Sequence, residues 1–105
     1  MTMQELEREF DAAMEEIYLR AKAEEGYNAT RFLQMLEEHR GRETARILLH
    51  TKHVSDGYTA LWERHRLDLT VEAVILQQKW HPLFSDQERE IARERLEDYG
   101  YEFEK

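Results

Sequence analysis

The sequence predicts an all-α fold, a compact single-domain bundle of about six short-to-medium helices, and three observations carry that reading. Only 4 glycines and 1 proline occur among 105 residues that are 41% apolar and 36% charged, a composition suited to helices rather than to a turn-rich sandwich. Apolar residues recur at three- and four-residue spacing through most of the chain. Two capping-box spacings, Thr2 with Glu5 and Ser85 with Glu88, mark helix starts near the two ends. A chain of this length needs one core, which removes roughly two-thirds of the unfolded surface from water.

The first helix begins after Thr2 and sets Leu6, Phe10, Ala13, Met14, Ile17 and Ala21 on one face, with Glu7, Glu9, Glu15 and Glu16 elsewhere. Gly26 suits its C-cap. Residues 1–27 thus read as an acidic amphipathic helix packed on a helical core module spanning 28–105. Asn28 is expected to cap a second helix carrying Phe32, Leu33 and Leu36, which ends near Gly41. A turn at Gly41 starts a third helix, about Arg42 to His50, with Ala45, Leu48 and Leu49 inward. Ser55 or Asp56 caps a fourth through Leu61 and Trp62, followed by a tight connection at Arg66 and Leu67.

The run Leu67, Leu69, Val71, Ala73, Ile75 alternates like a strand, yet Asp68 or Thr70 could cap a helix there. Helix is preferred, because no partner strand is evident and a lone strand leaves its backbone groups unpaired. His81-Pro82 predicts a break after Trp80 and then a loop. Ser85 opens a final helix with Ile91, Ala92, Leu96 and Tyr99 inward, ending at Gly100. The tail from Tyr101 to Lys105 either docks its aromatics or frays. Both tryptophans, Trp62 and Trp80, are expected to close over the Val71 to Leu76 run as core residues.

With no cysteine, disulfides, thiolate chemistry and cysteine-ligated metals are excluded. No apolar run approaches the ~18 residues that span a bilayer, and Glu5, Glu7 and Glu9 stand where a signal peptide would be basic. The cytoplasm is the default expectation, with no membrane partner. The net charge of −8 is uneven: residues 1–27 carry 8 acids and 3 bases, residues 28–84 carry 7 and 8, and residues 85–105 carry 8 and 4. That acidity disfavours general nucleic-acid binding while leaving room for a local basic surface in the middle.

The strings GYNATRFLQML, RETARILLH, SDGYTALWE, RLDLTVEAVIL and PLFSDQEREIARERL between Gly26 and Gly100 resemble a small uncharacterised bacterial all-helical module. That module occurs alone or appended to the C-terminal side of larger proteins, including restriction-type nucleases. The resemblance covers about the last three-quarters of the chain and leaves the acidic first helix as an addition. Its recurring positions, among them Gly57, Leu61, Trp62, Leu69, Thr70, Glu72, Leu83, Phe84, Glu88 and Leu96, are mostly caps and core residues, so it implies a shared fold and no catalytic residue.

Of the candidate chemical sites, the five histidines, His39, His50, His53, His65 and His81, lack an HExxH pattern or an evident third ligand, so neither metal nor any other cofactor is expected. Glu63, His65, Asp68 and Glu72 crowd a helix connection, but capping and solvation account for them, and with no nucleophile elbow or phosphate loop no enzymatic activity is expected. The candidate partner surface is the basic stripe of Arg40, Arg42, Arg46, His50 and Lys52, flanked by His39 and His53, whose forks suit an acidic partner. The opposing account pairs these side chains internally, with Glu37, Glu38 or Glu43. Leu6, Phe10, Met14 and Ile17 are the candidate self-association face. The functional expectation is a non-enzymatic protein–protein interaction or accessory module, possible as a homo-oligomer. Two alternatives stand beside it: an acidic regulator or nucleic-acid mimic of a basic partner, and a nuclease accessory touching DNA through the Arg stripe.

Overall fold

The computed structural model describes residues 2–103, and in these every regular element is helical. Five α-helices, α1 (Met3–Glu25), α2 (Thr30–His50), α3 (Asp56–Glu63), α4 (Val71–Ile75) and α5 (Asp86–Asp98), are joined by two 3-10 turns, Leu67–Leu69 and Gln78–Leu83. A kink at Arg40 divides α2 in two, which brings the number of α-helical segments to six. The Cα radius of gyration, 12.8 Å, is that of one domain of this size.

Caps set most boundaries. Thr2 accepts from the Glu5 N–H, Ser55 from Tyr58 and Thr70 from Ala73, while Ser85 and Glu88 form a complete capping box. Gly26 ends α1 in the left-handed conformation, and Gly100 at φ 80° follows α5. Thr70, rather than Asp68, caps α4, because Asp68 is held by Arg66 (Nε to Oδ1, 3.0 Å). Val71, Val74 and Ile75 are buried, so the ambiguous run is a short core helix preceded by a 3-10 turn.

Three local expectations are corrected. Asn28 does not cap α2: its Oδ1 accepts from the Tyr18 hydroxyl at 2.6 Å, and the N-cap position is Ala29, with no side-chain bond. Pro82 does not open a loop but lies inside the 3-10 turn Gln78–Leu83. Trp62 is not core: it is 43% exposed and meets Tyr99 edge-on, whereas Trp80 is 4% exposed. The helical repeat carries Tyr58 and Leu61 of α3 inward, and Trp62 lies beside that face.

Helix α1 supplies much of the core. Phe10 and Met14 are fully buried, and Phe10 makes edge-on ring contacts with Trp80 and Phe84, both at 5.3 Å. Leu6, Phe10, Met14 and Ile17 therefore belong to this chain's own interior and form no self-association face. The acidic helix is thus part of the same core as residues 28–103, since its apolar stripe is the surface on which α2, α4 and the Gln78–Leu83 turn pack. The tail docks as far as it is described: Tyr101 and Phe103 stack edge-on and Arg93 lies over the Phe103 ring, while Glu104 and Lys105 fall outside the described residues.

Gly41 fixes the approach of α2 to α1. Its N–H donates to Asp11 Oδ1 at 2.7 Å, and a Cβ added there would lie 2.8 Å from that oxygen and 3.2 Å from the Asp11 Cα. Gly41→Ala is expected to lower stability by about 1–3 kcal/mol, because the obstructing Asp11 Cα is backbone and yields only if the two helices separate. Urea denaturation of the variant measures this, and an unchanged midpoint would show that the helices separate freely.

Candidate functional site

At the kink, α1 and α2 enclose a polar cleft of about 590 Å3 lined by Glu7, Arg8 and Asp11 from the first helix and His39, Arg40, Arg42, Glu43 and Arg46 from the second. The α1 residues Gln4, Glu7, Arg8 and Asp11 share a face because they are three and four apart. Arg40 has φ 65° and ψ 179°, a region essentially reserved for glycine, and its side chain is 79% exposed. The next residue, Gly41, is the one whose missing Cβ leaves room for Asp11.

The predicted basic stripe is divided by its partners. Arg40 is loosely placed, 3.6 Å from Asp11. Arg42 donates to the Leu83 carbonyl through Nε and to Glu7 through Nη1, at 3.0 and 3.2 Å. Arg46 Nε and His50 Nε2 converge on Glu88 Oε2 at 3.0 and 2.9 Å. Lys52 lies exposed beyond the end of α2, outside the cleft, with no ion pair among the described residues. The arginines pair internally with Asp11, Glu7 and Glu88 on other helices; of the three acids expected to pair within the segment, only Glu38 does so, with His39. Arg8 joins the cleft without having been expected, and no described acid pairs with it.

Glu88 is 4% exposed and accepts at both oxygens, the Ser85 N–H at Oε1 and Arg46 and His50 at Oε2. Burial pushes its carboxyl up, but the Ser85 N–H, His50 and Arg46 more than reverse this and hold it at about 2. Its double role was detectable in sequence: Glu88 stands four residues before Ala92 and eight before Leu96, both fully buried, so it shares their inward stripe.

A second buried pair was missed altogether. Arg95 Nη1 donates to Glu72 Oε2 at 3.0 Å, and the same guanidinium caps the end of α2 through the carbonyls of Leu48, Leu49 and Thr51. Tyr58 donates its hydroxyl to the Arg95 carbonyl at 2.9 Å. Burial raises the Glu72 carboxyl despite its own N–H and Arg95, and burial, together with the Glu72 charge, raises the Tyr58 phenol. Arg89 acts as another internal cap, donating to the His81 and Phe84 carbonyls.

The histidines are dispersed. His50 faces Glu88, His81 approaches the Leu76 carbonyl at 3.3 Å, His39 lies 3.7 Å from Glu38, and His53 and His65 are exposed. No group of three His, Asp or Glu side chains among the described residues could hold a metal ion. Glu63 and His65 are exposed while Glu72 is buried on Arg95, so that cluster does not converge either. No helix among the described residues is long and apolar enough to cross a membrane. No family model, curated protein or solved structure matches the chain.

Proposed function

We propose that this chain is a non-enzymatic protein-interaction module that holds an acidic segment of a partner protein in the Arg8/Arg40/Arg46 cleft. The conformation of Arg40 carries the reading. An exposed arginine in a glycine-type conformation costs about 1–3 kcal/mol, and a strain of that kind is retained where it aims a side chain. Here it sets a guanidinium at the mouth of a cleft where Arg8 and the two terminal nitrogens of Arg46 have no described acid partner. The surrounding charge of −8 favours a short acidic segment, placed narrowly at the cleft, over an extended polyanion. For the same reason, and because Arg42 and Arg46 each already bind a carboxylate, DNA contact along the stripe has less support.

The reading as an acidic regulator rests on Asp86, Glu90, Glu94 and Asp98, all exposed and spaced four apart along α5, where like charges destabilise a helix. It predicts salt-sensitive binding to a basic partner that leaves the Arg40 cleft uninvolved.

A labelled oligoglutamate peptide, titrated at low and moderate salt, tests the main reading. Wild-type binding is expected to weaken with salt, and Arg8→Glu with Arg40→Glu to reduce affinity at least about tenfold. Arg40→Gly should weaken binding while raising stability by about 1 kcal/mol, since it removes both the fork and the strain. Binding indifferent to these changes, or no binding at low salt, would overturn the assignment.

A further inference from the structure

The first half of α2 touches the core only through partly buried side chains, Phe32 and Leu36 among them. Between Thr30 and Arg40 no residue is fully buried, and Phe32, Leu33, Met35 and Leu36 are only partly buried, whereas the second half buries Gly41, Thr44, Ala45 and Leu49. Behind it lies a cavity of about 510 Å3 walled by Ile17, Phe32, Met35, Leu48 and Leu61. Packed interiors leave few voids larger than a water molecule, and this volume falls within the ~300–1,000 Å3 of small-molecule sites.

The mouth of this cavity offers unpartnered N–H donors. Arg31 and His53 are exposed there, and neither has an ion-pair or hydrogen-bond partner among the described residues; the single exposed acid at the mouth is Asp56. An apolar space fronted by the Arg31 guanidinium and the His53 imidazole, neither with a described partner, suits a molecule with an apolar body and one carboxylate head that accepts from both. Glu72, deeper in the wall, is already paired with Arg95 and asks nothing of a ligand. We infer that the cavity binds a small amphiphilic carboxylic acid, its chain between α1 and the first half of α2 and its carboxylate between Arg31 and His53. This site lies apart from the Arg40 cleft and stands or falls independently of it.

Decanoate, decanol and decyltrimethylammonium, each below its micellar concentration, are the probes, with binding read by calorimetric titration. Decanoate is expected to bind, decanol to bind at least about tenfold more weakly, and the cation more weakly still. Arg31→Glu with His53→Glu, both surface positions whose exchange should leave the fold intact, is expected to remove about tenfold from decanoate affinity and to leave decanol unchanged. Met35→Trp, which fills the space, should abolish binding of both, with retained helicity checked by circular dichroism. Decanol binding as tightly as decanoate, decanoate binding insensitive to the mouth variant, or no decanoate binding at all would each overturn the inference.

Discussion

Glu88→Ala is expected to destabilise the fold by about 3 kcal/mol, as measured by urea denaturation at neutral pH. Two losses act together, and the depressed pKa of Glu88 measures their sum. The capping box loses its reciprocal bond to the Ser85 N–H, worth about 1 kcal/mol. Arg46 and His50 lose their shared acceptor, and as both are about half exposed, water recovers part of that loss. A carboxylate in an almost closed site, with a pKa near 2 against an ordinary 4.5, corresponds to roughly 3 kcal/mol of preference for the ionised form in the folded state. Because the folded value is depressed, that stability is fully present above pH 4.5 and is lost as pH falls toward 2. Glu88→Gln should therefore flatten the acid limb of the stability curve. An acid limb unchanged in the glutamine variant would show that other carboxylates govern acid unfolding.

The Glu72–Arg95 pair should respond asymmetrically. Arg95→Met is expected to cost about 3–5 kcal/mol, because it strands Glu72 as an unpaired buried charge and uncaps the Leu48, Leu49 and Thr51 carbonyls at once. That is a large share of the ~5–15 kcal/mol that stabilises a domain. Glu72→Gln should cost little, within about 1 kcal/mol, since glutamine still accepts from Arg95 and no longer carries a charge into a site that resists it. The raised Glu72 carboxyl acts opposite to Glu88: its stabilising contribution is present at acid pH and is lost as pH rises through the folded value. Glu72→Gln should remove that decline. Equal losses in the two variants would mean that the salt bridge, and not the carbonyl caps, holds this end of the fold.

The Arg8/Arg40 and Arg31/His53 variants bear on function and leave these stability arguments untouched. Arg8, Arg40, Arg31 and His53 take no part in the buried pairs, so charge reversal at these positions reads out binding with little effect on the core.

The helical class, most helix starts and much of the buried apolar set were legible in the chain alone. Their causes are local: a Ser or Thr hydroxyl two or three residues from a free N–H, a glycine at a left-handed turn, and apolar residues that a 3.6-residue period must bring to one face. The Ser85–Glu88 box and the run of Phe10, Met14 and Ile17 owe nothing to distant residues in their placement along a helix. Which polar groups meet is a different matter. The partner of Asp11 lies 30 residues away, those of Glu88 38 and 42, and that of Arg95 23, and helical periodicity is silent over such separations. So a run that reads as one basic stripe divides in three dimensions into an internal cap, a pair of bases on one buried carboxylate, and a strained, exposed Arg40. The tertiary structure decides this division, because desolvation and the need to satisfy every buried donor and acceptor act only once the helices have come together.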